Sequence, residues 1–111
     1  MTIFDLATTD ALLSTTRAVR KRLDLDRPVE RSVIMDCIGL SQQAPTGSNK
    51  QGWRWVVVTN AEKRKVIADC YRKGVGDYLV TAKAAAEDRG ASQDARVFDS
   101  AQFLADRMQD A

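Results

Sequence analysis

Apolar positions follow a helical period over most of the chain. Val29, Val33, Ile34, Cys37, Ile38 and Ser41 recur at a spacing that places them on one face of a helix. Pro28 is predicted at the first position of that helix, where a missing N–H costs nothing. Glu30 then falls in the first turn, at the positive end of the helix dipole, and Gly39 predicts close packing against another element. Upstream, a short helix is predicted from Thr9 to about Thr16, capped by Thr9 or Asp10, with Ala11, Leu12 and Leu13 as its apolar patch. Downstream, Asn60 reads as an N-cap, and Val66, Ile67, Cys70 and Tyr71 form an apolar stripe. Gly74 and Gly76 are expected to interrupt that helix before Tyr78-Leu79-Val80 resumes it. The polar stretch Ala84–Gln93, with Gly90, is expected to be a mobile crossing. Val97, Phe98, Ala101, Leu104 and Met108 mark a last amphipathic helix.

The period changes once. Trp53-Arg54-Trp55-Val56-Val57-Val58-Thr59 is aromatic and β-branched and runs apolar from Trp55, which predicts a strand covered on both faces. Trp53 and Trp55 share one face of it and are expected to pack into a core. One strand forms no sheet, so its partner is either a weaker segment such as Ala18–Leu23 or strands that this chain does not carry. The pattern predicts an α+β fold dominated by helices with one clear strand.

Composition narrows the function classes. The chain has 111 residues, enough for a single domain, with 44% hydrophobic and 29% charged residues, ordinary values for a globular protein. A net charge of +2 is too small to imply nucleic acid or an anionic membrane as partner. No apolar run approaches the ~20 residues of a membrane span. Met1–Asp10 lacks a basic start followed by a long apolar stretch, so no secretory signal is expected there and the cytoplasm is the default location. Cys37 and Cys70 sit inside helical patterns and are expected to be buried, reduced thiols. With no histidine, the chain lacks Ser-His-Asp and Cys-His catalysis and the usual zinc sites. If it is an enzyme, a bound cofactor carries the chemistry.

Two segments are candidates for such a site. Arg17, Arg20, Lys21 and Arg22 place four cations in six residues with no acid among them. Guanidinium groups grip phosphate bidentately, and in a turn Arg17 and Arg20 can reach one anion. In the loop Ala44–Gly52, Gly47 allows a close backbone approach to a flat ring, while Thr46, Ser48, Asn49 and Gln51 offer donors and acceptors for a polar rim. Taken singly, the first also reads as a solvated basic face and the second as an ordinary polar turn. Gly74-Val75-Gly76 lacks the third glycine and the preceding strand of a dinucleotide fingerprint. Asp99 with Arg96 or Gln102 reads as a surface helix pattern.

The two segments together, R-x-x-R followed by a helix and then Ala44-Pro45-Thr46, Asn49, Gln51, Trp53 and the valine run, resemble the nitroreductase family of FMN-dependent oxidoreductases. The resemblance covers nearly the whole chain and roughly the first half of that family's domain. It implies helices around a mixed or antiparallel sheet, with residues 1–111 as the N-terminal part of a single nitroreductase-like domain. It also implies bound FMN, hydride supplied by NADH or NADPH, and a small electron-poor acceptor such as a nitroaromatic or quinone. It further implies a cytoplasmic homodimer with two FMN sites at its interface and no nucleic-acid or membrane partner, and no catalytic side chain or metal is assigned. Arg17 and Arg20 match basic residues near the flavin phosphate and ribityl chain. Ala18 falls where many members have serine, leaving a backbone contact there. Pro45, Thr46, Gly47 and Asn49 match the loop that reaches the isoalloxazine, and Gln51 a residue near the ribityl chain. Gly52 stands where many members have proline. Family members continue past the last helix into further strands and a late basic segment, so a catalytically inactive fragment or a helical dimerisation module without flavin is the alternative. A small phosphate- or nucleic-acid-binding protein built on Arg17–Arg22 ranks below both.

Overall fold

A computed structural model describes residues 3–111. Four α-helices follow in order: α1 (Leu6–Thr15), α2 (Arg31–Ser41), α3 (Ala61–Asp88) and α4 (Ser92–Asp106), with short 3-10 turns at Gly47–Asn49 and Met108–Asp110.

The sheet expectation is overturned. Among the described residues no strand forms, and Trp53–Thr59 carries no ladder. The α+β class, with a mixed or antiparallel sheet, is therefore replaced by an all-helical arrangement. The physical reason lies in the backbone: an extended run becomes a strand only when a neighbour takes its N–H and C=O groups. The weak candidate partner, Ala18–Leu23, forms a bend and turn instead. The Trp53 and Trp55 rings do stack, with centroids 6.3 Å apart and planes at 30°. They remain 39% and 48% exposed, so they are not core.

Helix α1 starts earlier than expected because Asp5, not Thr9 or Asp10, is its N-cap. The Asp5 carboxylate accepts from the N–H groups of Ala7 at 3.2 Å and Thr8 at 3.3 Å. Those bonds, and above all one from the Thr8 hydroxyl, hold its carboxyl below the usual range. Helix α1 buries no residue, and Leu12 and Leu13 are exposed. Helix α2 starts later than expected: Glu30 is the N-cap, in extended backbone at φ −64°, ψ 140°, so Pro28 lies before the helix rather than at its first turn. Gly39 marks no close approach, since a Cβ there would meet nothing within 4 Å. Cys37 and Cys70 are free and exposed, against the expectation of burial.

The core lies between α3 and α4. Asn60 caps α3 as expected, accepting from the Lys63 N–H at 3.0 Å. Gly74 and Gly76 do not interrupt the helix, which continues over 28 residues, about 42 Å at 1.5 Å per residue. The helix cost of each glycine, about 1 kcal/mol, is offset by packing along the α4 contact. Nor is Ala84–Gln93 a loose crossing. Alanine-rich helix continues to Asp88, and Gly90, at φ +68°, enters the left-handed region. The Gly90 N–H donates to the Glu87 carbonyl at 3.0 Å and the Ala91 N–H to the Ala86 carbonyl at 2.9 Å, which is a Schellman turn. The chain therefore folds straight back into α4, antiparallel to α3. Ala68, Leu79, Ala86 and Ala105 are the buried core residues, and small side chains let the two helices approach closely. Tyr78 meets Phe98 edge-to-face with centroids 6.1 Å apart. Arg72 clasps the far end, donating to the Ala105 carbonyl at 2.9 Å, Gln109 Oε1 at 2.8 Å and Asp69 at 2.5 Å. No helix among the described residues is long and apolar enough to cross a membrane.

Candidate functional site

The basic segment between α1 and α2 is held along α4 by its own polar side chains. Arg20, half-buried, donates through Nη1 to Ser100 Oγ at 3.2 Å, and that hydroxyl donates onward to the Val97 carbonyl at 2.8 Å. Lys21 forms an ion pair with Asp99, the residue before Ser100. The other Asp99 oxygen takes Lys83 Nζ of α3 at 2.7 Å. Further on, Asp26 lies 3.8 Å from Arg107. The stretch from Arg20 to Asp26 therefore runs beside α4 in the same direction as that helix. The hydrogen bond from Lys21, seconded by Lys83, pulls the Asp99 carboxyl down to about 2; Asp99 in turn raises Lys83. Asp99 is thus the hub of a three-residue ion cluster and not a helix-surface partner of Arg96 or Gln102. No sequence signal marks it, because its partner Lys21 lies 78 residues away.

Arg17 points elsewhere. Its Nη1 donates to the carbonyls of Ser14 at 3.0 Å and Thr16 at 2.8 Å, at the C-terminal end of α1, where a cation suits the negative end of the dipole. Ala18 and Arg22 are exposed, and Arg22 has no ion pair among the described residues.

The loop residues form a second, self-contained unit. Thr46 Oγ1 accepts from the Gln51 N–H at 2.9 Å. Gln51 Nε2 donates to Asn49 Oδ1 at 2.9 Å, and Gln51 Oε1 accepts from the Trp53 indole at 2.9 Å. Ser48, Asn49 and Gln51 all have positive φ, at 53°, 51° and 46°. The left-handed backbone thus falls on three non-glycine residues, while Gly47 has none, and a Cβ on Gly47 would meet nothing within 4 Å. Pro45 precedes this turn and is exposed. Thr46, Asn49 and Gln51 are brought together; no hydrogen bond or ion pair joins them to Arg17 or Arg20 among the described residues.

Two open clefts flank Trp55–Val58. One, of about 560 Å³, runs between that segment and the apolar face of α2, lined among others by Val33, Ile34, Cys37 and Ile38, so the sequence reading of that face is borne out. The other, of about 520 Å³, lies between Leu25–Val29, Val57–Thr59, Arg64 and Asp110. Arg64 Nε is buried there without a partner. Neither cleft is lined by any of the eight residues matched to a flavin site.

The donor set of the basic segment suits an anion. Arg20 commits only Nη1 to protein, which leaves a guanidinium edge for two further bonds. The loop offers half-buried Thr46 and exposed Ser48 and Asn49 around a strained turn. No curated protein and no solved structure matches the chain. A family profile described as "Nitroreductase family" matches residues 13–111. With that match spanning α2, α3, α4 and the end of α1, the chain belongs to the nitroreductase family, a family of flavin oxidoreductases.

Proposed function

We propose that the chain provides the phosphate- and ring-contacting segments of an FMN-dependent oxidoreductase that takes hydride from NADH or NADPH and reduces a small electron-poor acceptor, working as a cytoplasmic homodimer. The observation that carries this reading is the family match over residues 13–111, together with the free guanidinium edge of Arg20 within the matched region.

FMN, when bound, would supply the redox chemistry between nicotinamide and acceptor. The chain's own residues bind and orient. Arg20 holds the terminal phosphate through its uncommitted nitrogens. Arg17 joins it by leaving the α1 carbonyls, an exchange of two neutral acceptors for one dianionic one. The backbone N–H of Ala18 stands in for the hydroxyl that a serine would offer. Pro45, Thr46, Gly47 and Asn49 form the loop at the polar rim of the ring, with Gln51 toward the ribityl chain. Because loop and basic segment are not joined within one chain, the homodimer supplies the loop from the second subunit. No side chain acts as acid or base, in keeping with a chain without histidine.

The open packing described below favours one other reading, a helical dimerisation module that holds no flavin. The two separate on a single titration. The first expects bound flavin with its yellow absorbance when the protein is mixed with FMN, and Arg20→Ala to weaken that binding by roughly 1.5–3 kcal/mol, the scale of a hydrogen bond to a charged group. Protein that stays colourless with added FMN favours the module. Unchanged FMN affinity in Arg20→Ala removes Arg20 from the site.

A further inference from the structure

We propose that Ser100 of α4 is a positioning residue for the anion-binding edge of Arg20: its hydroxyl fixes one guanidinium nitrogen so that the remaining nitrogens face a flavin phosphate. The proposal rests on the reading above that Arg20 meets that phosphate.

The argument starts from entropy. An arginine side chain has more rotamer freedom to lose than most, and an exposed guanidinium loses it when its ligand arrives. Arg20 is the only one of the four clustered cations that is half-buried and the only one whose guanidinium or ammonium is held by a neutral side chain. The bond to Ser100 Oγ spans 80 residues of sequence, so it is a product of the fold and not of a local turn. Ser100 is itself oriented: its hydrogen goes to the Val97 carbonyl, which leaves its lone pairs toward Arg20. Next to it, Asp99 takes Lys21. Two adjacent residues on α4 therefore hold two adjacent cations, with a division of labour set by their charges. The carboxylate neutralises Lys21 and removes it from competition for an anion. The neutral hydroxyl orients Arg20 without cancelling its charge, which a carboxylate at position 100 would do. Loss of Ser100 changes no charge, so an effect on FMN that spares riboflavin reports orientation.

The test compares FMN with riboflavin, which lacks the phosphate, by quenching of flavin fluorescence in the full chain. Ser100→Ala is expected to weaken FMN binding about 3- to 10-fold, the scale of one net hydrogen bond, and to leave riboflavin affinity unchanged. Ser100→Thr keeps the hydroxyl and is expected to restore FMN affinity. The proposal is overturned if Ser100→Ala keeps the wild-type ratio of FMN to riboflavin affinity, if both ligands weaken in parallel alongside a lowered Tm, or if Ser100→Thr fails to rescue. Should the wild type hold riboflavin as tightly as FMN, the phosphate reading fails and takes this role with it. A wild type that prefers FMN while Ser100→Ala behaves identically sinks the positioning role alone.

Discussion

At the scale of the residue, Asp99 does the most to place the basic segment, and its charge state sets when it does so. Its carboxyl is held at about 2, against an ordinary value of 3.8, by the hydrogen bonds from Lys21 and then Lys83. A carboxylate whose folded pKa lies below its unfolded value contributes stability above the unfolded value and loses it as pH falls through the folded one. The contribution is therefore whole near neutrality and disappears between about pH 4 and pH 2. Acid unfolding of Asp99→Asn is expected to show a shallower loss of stability in that window than the wild type. Identical pH profiles of Tm for the two proteins would show that the cluster does not form. The loop around Ser48, Asn49 and Gln51 concentrates strain in a similar way, since three non-glycine residues share left-handed backbone, each at a cost of about 1 kcal/mol. The hydrogen bond from the Gln51 N–H to Thr46 Oγ1 helps hold that strained geometry.

At the scale of the element, what was legible in the sequence was local. The apolar face of α2, the Asn60 cap and the last amphipathic helix came through because period and capping chemistry act within a few residues. The strand at Trp53–Thr59 did not, because β-branched composition fixes a preference and a ladder needs a second segment. The Arg20–Ser100 and Lys21–Asp99 contacts were invisible for the same reason: nothing in the sequence pairs residues about 80 positions apart. The α3–α4 hairpin shows how tertiary packing overrides the reading of glycines. Gly74 stays helical, with nothing within 4 Å of a built Cβ, whereas Gly90 makes the Schellman turn at φ +68°. The same substitution is thus expected to act in opposite directions. Gly74→Ala should raise unfolding free energy by about 0.5–1 kcal/mol through helix propensity, and Gly90→Ala should lower it by about 1 kcal/mol through left-handed strain. Urea titration of the two variants checks this, and a Gly90→Ala as stable as the wild type would mean that the hairpin turns by some other geometry.

At the scale of the whole molecule, one chain leaves a large apolar surface in water. Its accessible area is 9444 Å², against about 6,100 Å² for a compact monomer of 12.3 kDa. Its radius of gyration is 18.1 Å, against about 13 Å for a compact chain of this length. Large apolar side chains are among the exposed residues: Leu12, Leu13 and Leu40 are each at least 66% exposed, and Val56 is 88% exposed on the unladdered segment. An excess of about 3,300 Å² per chain exceeds the share each partner contributes to an obligate interface of about 2,000–5,000 Å² in total. Removing these side chains from water favours association with a second copy. The proposed homodimer is therefore expected to persist at low micromolar concentration in sedimentation equilibrium and to lose its flavin as it dissociates, because the loop and the basic segment then come from different subunits. A 12.3 kDa species that scatters with a radius of gyration near 18.1 Å and still binds FMN would remove the second subunit from the site. The loop would then have to reach the basic segment by refolding within one chain.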